Sequence, residues 1–137
     1  MTRIFIDTNI LVSAIVFDKK ELELIVRSID QGDTIFVSEH IIEESDRVFK
    51  NKFHGYTEIF DKFIKTSELE VIKKKVYNNK IRNHKTIRDK YDAHVIACAE
   101  EVNCEYIISG DKDILSYKHK KIRILRSSEY LKLLGKR

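Results

Sequence analysis

The sequence predicts an α/β fold in which a parallel sheet is covered by helices on both faces, and three observations predict it. Short runs rich in Ile, Val and Phe alternate with longer segments whose apolar residues recur at helical spacing. The runs have the length of strands buried on both faces, the signature of a parallel sheet. The 137 residues contain no proline and only 4 glycines, with no linker or internal repeat, so one domain is expected over residues 1–137.

The first strand is Arg3–Ile6, and residues 8–17 follow as a helix that is apolar nearly all round, as a buried helix would be. Residues 21–31 carry Leu22, Leu24, Ile25, Val26 and Ile29, an amphipathic helix that should stop at Gly32. Residues 34–37 form the second strand, and Ser38 is placed to cap the helix "EHIIEESDRVFKN". A further helix is expected over 56–65, with Ile59, Phe60, Phe63 and Ile64 on one face, and a strand over 69–72. The basic stretch that follows reads as a loop with some helix. Residues 92–102 are helical, 106–109 and 122–125 are strands, and Ser127 or Ser128 caps a terminal helix that runs to Leu134.

Composition narrows the classes. Apolar residues make up 42% of the chain, which suits a packed core and excludes a disordered one. No apolar stretch is long enough to span a bilayer, no secretory pattern opens the chain, and a cytoplasmic location with no membrane partner is expected. A cytoplasmic compartment keeps Cys98 and Cys104 reduced, and without a His pair at ligand spacing they make a poor zinc site. The net charge of +4 is concentrated. "KKKVYNNKIRNHKTIRDK", residues 73–90, sets eight Lys or Arg against one acid, Asp89, and a second cluster comprises Lys118, Lys120, Lys121, Arg123 and Arg126. Each cluster alone could be solvated surface, whereas the pair, beside the acids described next, favours contact with a phosphate backbone. The candidates for RNA contact in the first are Lys73, Lys74, Lys75, Lys80, Arg82, Lys85 and Arg88.

In a parallel sheet the functional groups collect at the carboxyl ends of the strands. Asp7 follows the first strand directly and, taken alone, reads as a helix cap. Asp111 follows "YIISG" in the same way, with Asp113 two residues on, and taken alone reads as a turn. Asp92 shares a helical stripe with Val95, Ile96 and Ala99, the face that should pack on the sheet, whereas His94 points away and is expected in solvent. Glu44 lies on the flank of its helix and can reach a cleft, while Glu43 faces water. Acids gathered at one edge repel one another unless a cation sits among them. Carboxylates without a His or Cys cluster suit a hard ion, Mg²⁺ or Mn²⁺, which can activate water against a phosphodiester. An acidic metal cleft beside basic surface is the layout of a nuclease.

The segments "IFIDTNILVSA", "SEHIIEES", "DAHVIACAEEVNCEYIISGDKDIL" and "KIRILRSSEYLKLL" resemble the PIN domain, specifically its branch of toxin components of toxin–antitoxin systems. The resemblance runs from Arg3 to about Leu134. It implies a three-layer α/β/α sandwich with a central, mainly parallel sheet and an Mg²⁺- or Mn²⁺-dependent endoribonuclease. It also implies a homodimer and a small antitoxin protein as partner. Carried over residue by residue, Asp7, Glu44, Asp92 and Asp111 would be the catalytic acids and metal ligands, with Asp113 in a supporting ligand position. Thr8, Asn9 and Ser109 would hold those carboxylates through hydrogen bonds. Where many members of the branch carry Arg-Asp-Pro and then two Asp residues, this chain reads "RDKYDAHV", so Asp89 stands as an alternative to Asp92.

Two other functions stay open on the residues alone. An Asp-nucleophile phosphatase of the haloacid-dehalogenase type also places an Asp after its first strand, but it needs a second Asp where this chain has Asn9. A catalytically silent PIN-like protein would keep the fold and the basic surface for RNA or a partner and lack some of the acids.

Overall fold

Strand β1, Arg3–Ile6, lies at the centre of a five-stranded sheet in the order β3-β2-β1-β4-β5, and every pairing in it is parallel. This computed structural model describes residues 1–17, 20–84 and 90–136. The remaining strands are β2 (Thr34–Ser38), β3 (Glu70–Ile72), β4 (Tyr106–Ile108) and β5 (Arg123–Leu125). On one side of β1, Ile4 pairs with Ile35 and Phe5 with Phe36; on the other, Ile6 pairs with Ile108, which pairs in turn with Leu125. Because Ile4, Phe5, Ile6, Ile35, Val37, Ile107 and Ile108 are all fully buried, the inner strands read as unbroken apolar runs.

The helices are α1 (Thr8–Val16), α2 (Lys20–Asp30), α3 (Glu39–Lys52), α4 (Thr57–Thr66), α5 (Lys74–Tyr77), α6 (Lys90–Glu101), α7 (Lys112–Ser116) and α8 (Ser127–Gly135). Helix α1 packs on α2 and α3, and α2 on α8, whereas α5 and the 3₁₀ turn Asn78–His84 pack on α6. The result is the expected three-layer α/β/α sandwich. Among the described residues no helix is long and apolar enough to cross a membrane.

Punctuation follows the local chemistry. Gly32, at φ 83°, closes α2 in the left-handed region where a side chain is disfavoured. Ser38 ends β2 and caps α3, its Oγ accepting from the Ile41 N–H at 3.1 Å. Asn103, at φ 56°, turns the chain after α6 so that the Cys104 N–H reaches the Ala99 carbonyl at 2.9 Å. Cys98 and Cys104 are free and buried, and burial pushes the Cys104 thiol up to about 12. Helix α7 is a departure from the sequence reading, which saw only a turn after Gly110.

The strand order fixes where a site can form. The chain steps outward from β1 to β2 and β3, then returns across the sheet to lay β4 against the free side of β1. The crevice between the carboxyl ends of β1 and β4 is therefore the point where the winding reverses, and ligands of open parallel sheets bind at such points.

Candidate metal centre

Asp7 emerges at that crevice. Its backbone N–H donates to the Ile108 carbonyl at 3.1 Å, which extends the β1–β4 ladder by one residue and holds the side chain over the sheet edge. The carboxylate is 2% exposed. Oδ1 accepts from the Thr8 N–H at 2.6 Å and Oδ2 accepts from the Ser109 hydroxyl at 2.8 Å. Asp7 thus caps α1 itself.

Ser109, fully buried, joins the two strand ends. While its hydroxyl donates to Asp7, the same oxygen accepts from the Asp111 N–H at 3.0 Å. Its own N–H donates to the Leu125 carbonyl at 3.0 Å, which ties the turn to β5. Asp111 then opens α7, with Oδ1 accepting from the Asp113 N–H at 2.8 Å. Asp111 is the extended N-cap residue of α7, and this capping bond folds its carboxylate back over the first turn, where Asp113 sits.

Asp92 comes from the first turn of α6 and is 4% exposed. Asp92, Asp111 and Asp113 each present an oxygen such that the three atoms lie within 4.8 Å of one another. Unit charges at that separation repel by on the order of 1 kcal/mol in water and roughly 3 kcal/mol at an effective dielectric of about 20. Neither Asp111 nor Asp113 has an ion-pair partner among the described residues. An all-oxygen, all-anionic set with this spacing fits a hard divalent cation, and it contains neither the nitrogen nor the sulfur that zinc prefers.

The other sequence-selected residues sit as follows. Glu44 is one turn into α3, half-exposed, with Oε2 on the Arg47 guanidinium at 2.6 Å, and it lies outside the three-acid group. Asn9 is exposed and lines a neighbouring cleft, and its amide makes no hydrogen bond to a carboxylate among the described residues. Thr8 contributes its backbone N–H. Lys73, Lys75 and Lys80 are exposed, whereas Lys74 pairs its Nζ with Glu43 at 2.8 Å and donates its N–H to Glu39 at 2.6 Å. Arg82 falls in the 3₁₀ turn. Lys85, Arg88 and Asp89 lie outside the described residues. The second basic cluster divides, since Arg123 begins β5 and Arg126 follows its carboxyl end, so only Arg126 is on the side of the acids.

His94 does not face solvent. Its ring packs against His40 of α3, with centroids 3.7 Å apart, and at 6.4 Å against Tyr77 of α5, which is fully buried. The Tyr77 hydroxyl bonds to His40 Nδ1. Burial, and then the neighbouring Lys74 charge, push the His40 pKa down, while burial pushes the Tyr77 phenol up. A neutral imidazole accepting at Nδ1 from a protonated phenol satisfies both shifts. A helical wheel for α6 alone could not foresee the rings of α3 and α5 that pack on His94.

A family model described as the PIN domain matches residues 3–113, a span that contains Asp7, Glu44, Asp92, Asp111 and Asp113. No curated protein matches the chain by sequence. Among solved structures, the fold is similar to VapBC2 from Rickettsia felis bound to a DNA fragment from its promoter, with TM-score 0.67, 19% identity and coverage of 90% of this chain and 97% of that one. It is also similar to PAE2754 from Pyrobaculum aerophilum, with TM-score 0.70, 14% identity and coverage of 99% and 91%. A third likeness is to VapC20 from Mycobacterium tuberculosis, a sarcin-ricin loop cleaving toxin, with TM-score 0.60, 12% identity and coverage of 88% and 98%. At these identities the likeness is one of fold.

Proposed function

The chain belongs to the PIN domain family, and from that premise we propose that it is a metal-dependent endoribonuclease acting as the toxin of a toxin–antitoxin pair. The observation that carries this reading is the close approach of Asp92, Asp111 and Asp113 at the β1–β4 crevice, linked to buried Asp7 through Ser109. A silent relative would have no need to hold these acids together against their repulsion. The fold likeness to an RNA-cleaving toxin and to a VapBC2 complex supports the choice of RNA as substrate and of a small antitoxin as partner.

In this reading Asp92, Asp111 and Asp113 hold Mg²⁺ or Mn²⁺, with Asp7 completing the set from the floor of the crevice. Bound there, the ion supplies Lewis-acid stabilisation of the charge that develops on a phosphodiester attacked by water. Ser109 and the Thr8 N–H fix the orientation of the Asp7 carboxylate. Glu44 is half-exposed and its ion pair with Arg47 is a surface pair of little strength, so it is free to swing toward the ion. Lys73, Lys75 and Lys80, with Arg82, Lys85 and Arg88, would contact the RNA backbone. Lys74 serves the same surface while holding α5 to α3. The active form would be a cytoplasmic homodimer.

The test is Asp7→Asn, which keeps shape and removes charge. Mn²⁺-dependent cleavage of single-stranded RNA should fall by at least ~100-fold while far-UV circular dichroism is unchanged. Undiminished cleavage by that variant in a contaminant-free preparation would sink the reading.

A further inference from the structure

Next to the turn that leads into the acidic group, a cleft of about 340 Å³ opens between α1, the start of α2 and the start of α8. Its rim carries Lys20 and Arg126, and its wall includes Asn9, Ser109 and Gly110, the residue before Asp111. The register explains why Arg126 arrives there. Ser109 hydrogen-bonds to Leu125, so the next residue of the β5 end stands one strand spacing, about 4.8 Å, from the turn that carries Asp111.

The charge in this cleft is uncommitted. The acid that lines it, Glu21, accepts from the Ser13 hydroxyl at 2.6 Å. Neither Lys20 nor Arg126 joins an ion pair among the described residues, whereas Arg47 pairs with Glu44 and Lys74 with Glu43. Two exposed cations left without carboxylates, facing one concavity that shares Ser109 and Gly110 with the turn into the acidic group, match an extended anion that reaches that group.

We propose that Lys20 and Arg126 form a subsite for the RNA phosphodiester adjoining the one that is cleaved. The subsite rests on the ribonuclease reading. It gives the substrate a direction, because the strand enters over Lys20 and Arg126, crosses Asp92, Asp111 and Asp113, and leaves toward Lys73, Lys75 and Lys80. Lys20 falls within the residues that match the family model, whereas Arg126 lies beyond them.

The experiment measures binding of a short, dye-labelled oligouridylate to the full chain by fluorescence anisotropy in EDTA, over a range of salt. Lys20→Gln with Arg126→Gln should weaken binding by at least about tenfold, and the slope of log K against log salt should become shallower by about 1.4, as expected for two single-strand phosphate contacts. Lys118→Gln with Lys120→Gln removes the same charge before β5 and should bind as the parent chain does. Exchange of the cations, Lys20→Arg with Arg126→Lys, should restore most of the affinity. The subsite is overturned if the parent chain does not bind the probe, if Lys20→Gln with Arg126→Gln binds unchanged while circular dichroism reports a native fold, or if both charge-removing pairs weaken binding equally. Because no metal is present, a parent chain that loses binding with these substitutions yet cleaves nothing in Mn²⁺ would leave the subsite standing and sink only the nuclease reading.

Discussion

Ser109 shows how much of the centre depends on a side chain with no charge. One buried hydroxyl donates to Asp7 and accepts from the Asp111 N–H, so it fixes the acids of β1 and β4 relative to each other. Ser109→Ala would remove one hydrogen bond from a buried carboxylate and one from a backbone N–H. The cost should be about 1–3 kcal/mol in urea unfolding. Cleavage, or affinity for Mn²⁺ measured by titration, should fall roughly 10- to 100-fold. A variant with full stability and full activity would show that the acids are positioned some other way. The residues bonded here were legible to different degrees. Asp7 stood out because it directly follows an apolar run, and Asp111 because only Ser109 and Gly110 separate it from one. That Asp113 lies beside Asp111 depends on α7, a helix of five residues whose pattern is too short to be told from a turn.

At the scale of elements, α5 is a small part held by specific bonds. Tyr77 is buried between α3 and α6, and Lys74 bonds to Glu39 and Glu43 of α3. These bonds make the attachment of the basic segment sensitive to pH. His40 has a folded pKa below its ordinary 6.5, owing to burial and then to Lys74, with Glu43, Glu39 and Arg47 also facing it. The unfolded chain therefore takes up the proton first, and stability should fall as pH drops through about 6.5, levelling off below the folded value. His40→Gln should flatten that part of the curve, as read from urea midpoints at neutral and mildly acidic pH. Glu43 is held below its ordinary 4.5 chiefly by the hydrogen bond from Lys74, so its contribution is present above 4.5 and is lost only on further acidification. Glu43→Gln should leave the His40 window intact, and a loss of both windows together would contradict the separate origins. The sequence showed strands and long helices closely because their periods repeat. It did not show the His40–Tyr77–His94 cluster, since three rings from α3, α5 and α6 meet only after the layers pack.

The whole molecule brings together acids that are distant along the chain, with Asp92 delivered by α6 and Asp111 and Asp113 by the turn after β4, while Ser109 links that turn to Asp7 at the end of β1. The winding that returns β4 to the side of β1 creates the centre, so the unfolded chain has none. Two consequences follow for thermal stability. A cation that binds only the folded form at a hundred times its dissociation constant adds about 2.7 kcal/mol. For a domain of this size that is a rise in Tm of roughly 8–13 °C. Mn²⁺ should produce such a shift, and EDTA should reverse it. In EDTA the acids repel one another with nothing between them, so removing one charge relieves strain instead of creating it. Asp111→Asn, which still caps α7 well, should melt at or above the parent temperature in EDTA and gain little from Mn²⁺. Ordinary damage to the fold would lower Tm in both conditions. Scanning calorimetry on the two chains in the two buffers separates these outcomes, and a parent chain whose Tm ignores Mn²⁺ would mean that the three acids hold no such ion.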